Sequence, residues 1–215
     1  MINTAPYLEQ QENWVKEGRV ILAQYDDQSI VVYQAYRPSI GHFAAQNNYF
    51  GGEFKMSRMT WIKPNFLWMM YRSGWGQKQG QEVILAIHLK RSAFDFILTQ
   101  AVHAKYIAEL YEDKAQWQKA VARSNVRLQW DPDRTPKGER LERRAIQLGL
   151  RGDIVTKYAA EWILEIEDIS NFVARQREYA IDENYAALNI PTERIYPVTD
   201  LEVIDRLRLT SKSSL

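Results

Sequence analysis

Residues 82 to 90, EVILAIHLK, constrain this fold more than any other stretch, because a strand-length apolar run passes almost directly into a helical pattern. Ser92 supplies an N-cap, and the segment AFDFILTQAVHAKYIAELY carries Phe94, Ile97, Leu98, Ala101 and Val102 at helical spacing, giving one buried face. A sheet with helices packed on it follows. A second β signal, RVILAQYDDQSIVVYQAYR, has two β-branched and aromatic runs around Asp26-Asp27-Gln28-Ser29 and predicts a hairpin with strands near 19 to 25 and 30 to 37. Pro38 and Gly41 then end the second strand and begin a connection.

Pro64 at a first helical position predicts a helix over about 64 to 72, stopped by Gly74, Gly76 and Gly80. DKAQWQKAVARS reads as helix, VRLQW as strand, and DPDRTPKGERLERR as a charged surface loop. Asp153 caps a helix through IVTKYAAE. WILEIEDI alternates as a strand, in competition with one uninterrupted helix, and Ser170 caps NFVARQREYA. ERIYPVTDLEVIDRLRL supplies a short strand and a helix before a polar tail, TSKSSL, that is expected to fray. The expected class is α+β, a mixed and largely antiparallel sheet flanked by helices, in a single domain over 1–215 with its core at about 15–200.

Composition limits the chemistry. At 215 residues the chain can bury roughly 70% of its unfolded surface. The 28 basic and 27 acidic residues nearly cancel, so any basic site must be local. Without cysteine there is no disulfide, thiolate zinc site or cysteine nucleophile. His42, His88 and His103 lack ligand spacing, so no metal is expected. No signal peptide and no apolar run of spanning length is visible, which predicts a cytoplasmic protein without a membrane partner. GxGxxG, GxxxxGK[ST] and GxSxG patterns are absent.

The candidate site residues lie in four blocks. Arg37 ends a strand, where a guanidinium can hold phosphate or carboxylate bidentately or form an ordinary salt bridge, and Tyr33 and Tyr36 precede it. In MSRMTWIKPNFLWMMYRSGW, residues 56 to 75, Ser57 and Thr60 offer hydroxyls and Trp61 a flat face. Lys63 precedes a helix start that favours an anion. Phe66, Met69 and Met70 have the spacing of a packed stripe and are assigned to the core. In ILEIEDI, Glu165 and Glu167 share a face if extended. Gln147, a polar residue in an apolar run, either lines a cleft or satisfies a buried backbone group.

VYQAYRPSIGHFA, MSRMTWIKPNFLWMMYRSGW, QEVILAIHL, VRLQWDPDR, RRAIQLGLRG and EWILEIEDIS, in that order, resemble the family known as domain of unknown function 4291, found in bacteria and fungi. The resemblance runs from roughly residue 15 to 200. The order of a strand-ending arginine, a Ser/Thr strand entering a helix and a late Glu-x-Glu strand is in turn similar to ADP-ribosyltransferases. That similarity implies NAD as co-substrate, with Arg37 on its diphosphate, Ser57 or Thr60 on the nicotinamide ribose, and Trp61 or Tyr36 stacking on nicotinamide. Glu167 would stabilise the oxocarbenium-like ribose and Glu165 would orient the acceptor, a nucleic acid or nucleotide; Gln147 or Glu142 could instead take the late position. SRMT departs from the compact Ser-Thr-Ser of that superfamily. A rival reading is a non-catalytic RNA- or nucleotide-binding module in which Trp61, Tyr36, Arg58, Lys63 and Arg72 stack bases and neutralise phosphates. A third is a protein-interaction domain whose exposed aromatics mark an interface.

Overall fold

A computed structural model describes residues 1–210. The chain opens with β1 (Thr4–Pro6) and α1 (Tyr7–Asn13), followed by β2 (Leu22–Ala23), β3 (Ser29–Tyr36) and α2 (Pro38–Asn47). Next come β4 (Thr60–Ile62), α3 (Phe66–Ser73), β5 (Val83–Lys90), α4 (Arg91–Gln100) and β6 (Ala101–His103). α5 (Lys114–Arg123) leads into a hairpin of β7 (Val126–Arg134) and β8 (Arg140–Leu150). α6 (Asp153–Thr156), prolonged by a π-helical turn over Lys157–Glu161, precedes β9 (Ile163–Asp168) and α7 (Ser170–Ile181). β10 (Asn189–Pro191), β11 (Arg194–Ile195) and α8 (Leu201–Leu207) complete it.

Two main sheets carry the architecture, one ordered β3-β5-β9 and the other β4-β8-β7-β6. All pairings are antiparallel except β6 with β7. The backbones of the two sheets meet where the Tyr33 amide donates to the Lys63 carbonyl at 2.7 Å. Strand alternation then sorts the first sheet into two faces. Ile30, Val32, Leu85, Ile87 and Ile166 enter one core with Phe94 and Tyr158. Val31, Tyr33, Ile84 and Ala86 enter a second core with Phe66, Met69 and Met70. The expected α+β class, largely antiparallel with flanking helices, is the observed one. No helix among the described residues is long and apolar enough to cross a membrane.

Most differences from the sequence reading arise where a tertiary partner overrides local pattern. The expected hairpin keeps its turn, with the Asp26 amide donating to the Ser29 carbonyl, but Leu22–Ala23 pairs with β11 beyond it. The connection after Arg37 is a helix, α2, with Pro38 in its first turn. Gly41 lies inside that helix because a Cβ there would sit 2.5 Å from Val83. Pro64 falls one residue before the N-cap Asn65, whose side chain accepts from the Trp68 amide at 2.8 Å. The long helix ends at Gln100, since Ala101–His103 finds β7 to pair with. The charged loop is mostly strand, and its buried charge is neutralised across the hairpin by Arg143 Nε donating to Asp133 Oδ2 at 2.5 Å. ILEIED is a strand, which decides between the strand and the uninterrupted helix that its sequence allows. Of the tail, Thr210 accepts from the Arg19 amide at 2.8 Å; the remainder, 211–215, lies outside the described residues.

Candidate functional site

A cleft of about 700 Å³ opens where the end of β3 diverges from β4, with α3 as one wall. Gln34, Tyr36, Arg37, Thr60, Trp61, Lys63, Trp68, Arg72 and Gln147 all line it. Five basic side chains, Arg37, Lys55, Arg58, Lys63 and Arg72, face it against one acidic lining residue, Glu53. In a chain whose total charge nearly cancels, the positive charge of this cleft is local.

The cleft is held by a buried polar chain. Tyr158 donates its hydroxyl to Gln34 Oε1 at 2.6 Å, and Gln34 Nε2 donates to Thr60 Oγ1 at 2.7 Å and to the Trp61 carbonyl at 3.0 Å. Tyr36 shares a hydrogen bond with Thr60 Oγ1 at 2.9 Å, and burial pushes its phenol pKa up. Such a connected network fixes rotamers. Trp61 is placed by a different device: Gly149, its partner on β8, lacks the Cβ that would come within 2.9 Å of the indole. Gln147 Nε2 donates to Asp131 Oδ2 at 2.6 Å, which leaves the Gln147 carbonyl oxygen as its remaining polar atom.

α3 is anchored at its start by Glu193, which accepts from the Phe66 amide at 2.6 Å and from Asn65 Nδ2 at 3.2 Å. Burial raises the Glu193 pKa well above the usual carboxylate range, against the lowering effect of the Phe66 amide. Within this frame Lys63 is 6% exposed. Its ammonium donates to the Trp61 carbonyl at 3.2 Å and lies 5.4 Å from the centre of the Trp68 ring. Burial, followed by repulsion from Arg72 and partly offset by Asp131, brings its pKa down to about 7. Arg37 sits at the outer edge with half its side chain exposed, and its guanidinium is paired with Glu53.

The structure thus brings together Tyr36, Arg37, Thr60, Trp61, Lys63 and Gln147, drawn from three separate blocks of sequence. Ser57 is exposed on the preceding loop and does not line the cleft. Glu142 is likewise exposed and outside it. Glu165 and Glu167 do share one strand face, but they are not in the cleft either. The register places Glu167 beside Ala86 and Tyr33, so both acids point to the sheet face opposite Gln34 and Tyr36. There Glu167 Oε1 lies 2.5 Å from His88 Nε2 and 2.8 Å from the Met1 ammonium, while Glu165 is 3.3 Å from that ammonium. Burial raises the Glu167 pKa, but hydrogen bonds from Met1, His88 and the Ile2 amide outweigh it and leave the carboxyl below its ordinary value. His88, Glu165 and Glu167 also place possible metal-ligand atoms within 4.8 Å of one another, a grouping that their sequence spacing did not suggest.

Gln34, Trp68 and Asp131 are cleft residues, or direct partners of one, that sequence reasoning missed. Gln34 alone carried a signal, as a polar residue in the apolar strand VVYQAY. Trp68, 7% exposed, is wall rather than surface, so stacking on an open indole face falls to Trp61.

The fold and cleft define an α+β protein with a basic, aromatic-lined pocket between two sheets. The family model described as Domain of unknown function (DUF4291) matches residues 20–196, and the chain belongs to that family. No curated protein matches the chain.

Proposed function

We propose that this protein binds a nucleotide in the cleft between its sheets, with NAD as the nucleotide that the similarity to ADP-ribosyltransferases nominates. The observation that carries the reading is the convergence of five cations on a pocket also lined by Trp61 and Tyr36. Cations neutralise phosphates, and a partly exposed indole offers a stacking face that any base can use. Thr60, fixed by Gln34, would meet a ribose hydroxyl. In a transfer of ADP-ribose from NAD, the late position would fall to Gln147 in place of Glu167. Its carbonyl oxygen, oriented by Asp131, would face the positive charge that develops on the ribose as nicotinamide leaves.

Calorimetric titration of the full chain with NAD, ADP-ribose and adenosine tests the binding, and nicotinamide release in the presence of nucleotide and nucleic-acid acceptors tests the reaction. Saturable NAD binding that weakens in Trp61→Ala is expected. Failure of every nucleotide to bind would remove the reading. A second reading, nucleotide or RNA binding without catalysis, is favoured by the placement of Glu165 and Glu167 on the opposite sheet face. It predicts nucleotide binding with no nicotinamide released under any acceptor.

A further inference from the structure

Two residues that line the cleft, Lys63 and Trp68, carry hydrogen-bond donors that the protein itself leaves short of acceptors. An ammonium has three donors, and Lys63 places one on the Trp61 carbonyl; no carboxylate pairs with it among the described residues. Trp68, whose ring lies under that ammonium, has its indole N–H buried with no acceptor among the described residues. Among the other buried cations, Arg143 has the Asp133 carboxylate, while Arg127 donates to the backbone carbonyls of Ser124, Val126 and Val121 and Arg134 to that of Gly138. Lys63 differs from Arg143 in having no acid among the described residues, and from Arg127 in having a single acceptor. A buried ammonium without an acid is costly to fold around. A group that supplies negative oxygens to both donors removes that cost.

We propose, resting on the nucleotide reading, that Lys63 and Trp68 form a dedicated oxyanion subsite for the diphosphate of the ligand, with Arg37 acting at the mouth of the cleft. This exchanges the role that the ADP-ribosyltransferase similarity gives to Arg37. The exposures support the exchange, because the Arg37 side chain is 52% exposed and already paired with Glu53, whereas Lys63 is 6% exposed and unpaired. The charged groups that face Lys63 are Arg72 on α3 and Asp131 on β7, with Arg37, Glu53, Lys55 and Arg58 farther out along the cleft. Arg72 adds positive charge to the same wall.

A consequence is proton uptake on binding. With its pKa near 7, Lys63 is increasingly neutral above that pH in the free protein, and an oxyanion restores the charged form. Affinity is therefore full below pH 7 and falls as pH rises. The diphosphate diester of ADP-ribose does not itself titrate in this range, so the slope belongs to the protein.

The test is calorimetry with ADP-ribose, adenosine and pyrophosphate on the wild type and on Lys63→Met, Lys63→Arg and Trp68→Phe, each checked for folding by circular dichroism. ADP-ribose should bind about tenfold or more weakly in Lys63→Met and a few-fold more weakly in Trp68→Phe, with adenosine unchanged. Between about pH 6.5 and pH 8.5 the wild type should lose about tenfold, a slope that Lys63→Arg abolishes because guanidinium stays charged. ADP-ribose binding equally to wild type and Lys63→Met would overturn the subsite while leaving nucleotide binding intact. Lys63-dependent pyrophosphate binding without any nucleotide binding would support the subsite and overturn the nucleotide reading. No binding of any anion would overturn both.

Discussion

Replacing Lys63 by methionine should make this protein more stable near pH 6 while weakening its grip on anions. The folded chain holds this lysine at a pKa of about 7 instead of its ordinary 10.5, and each pH unit of displacement corresponds to about 1.4 kcal/mol. Keeping the ammonium charged inside the fold therefore costs roughly 5 kcal/mol below pH 7. Losing the Trp61 carbonyl bond and the approach to the Trp68 ring returns about 2 to 3 kcal/mol of that. Methionine fills a similar volume, so a net gain of about 2 to 3 kcal/mol is expected at low pH. The sign with pH follows from linkage. Between about pH 7 and 10.5 the unfolded lysine holds a proton that the folded one has released, so wild-type stability rises with pH there. The advantage of Lys63→Met should accordingly shrink by roughly 2 to 3 kcal/mol between about pH 7 and pH 9. Urea unfolding of both proteins at three pH values measures this directly. A variant less stable than wild type at low pH, or a difference flat across the range, would refute the account of Lys63 as an uncompensated buried cation.

Gly149→Ala places a methyl within 2.8 Å of Met59 Sδ and 2.9 Å of the Trp61 ring. It should leave the protein folded at a cost of about 1 to 3 kcal/mol and reduce NAD affinity by displacing the indole, both readable in one tryptophan-fluorescence titration series. Asn65→Ala removes the cap of α3 and one contact to Glu193, and chemical denaturation should show a loss of about 1 to 2 kcal/mol. Glu167→Gln should leave ADP-ribose affinity within about twofold, because the residue lies outside the cleft, so the variant separates positioning from the opposite sheet face. It should also remove stability that the wild type has above the unfolded carboxyl pKa and loses as pH falls through the lower folded value, measured by acid unfolding. Asp133→Asn strands a buried Arg143 guanidinium and should cost about 3 to 5 kcal/mol by thermal unfolding.

Much of the secondary structure was legible because its signals are local. Val83–Lys90 is a strand as its apolar run predicts, Ile163–Asp168 carries the alternation of a strand although its sequence also allows a helix, and the helix expected over about 64 to 72 is found at Phe66–Ser73, stopped at Gly74. Burial of Phe66, Met69 and Met70 followed from their helical spacing. Errors collected where pairing partners decide. Ala101–His103 has apolar residues that suit a helix face as well as a strand, and only the neighbouring β7 makes it strand. Asp131 to Arg134 looks like loop until Arg143 lies opposite Asp133.

The candidate site divides in the same way. Residue types and positions, together with the ADP-ribosyltransferase resemblance, nominated Arg37, Tyr36, Thr60, Trp61, Lys63 and Gln147, and with them Ser57, Glu165 and Glu167, which lie outside the cleft. Sequence also established that any basic site had to be local, because the charges nearly cancel. Only the tertiary structure decided which of these residues meet, since strand register sets the face that each side chain uses. It sends Glu165 and Glu167 away from Gln34 and Tyr36 although all four lie in one sheet. It also carries Lys63, an ordinary surface residue type, to the junction of two sheets, where burial and a missing acid change its chemistry.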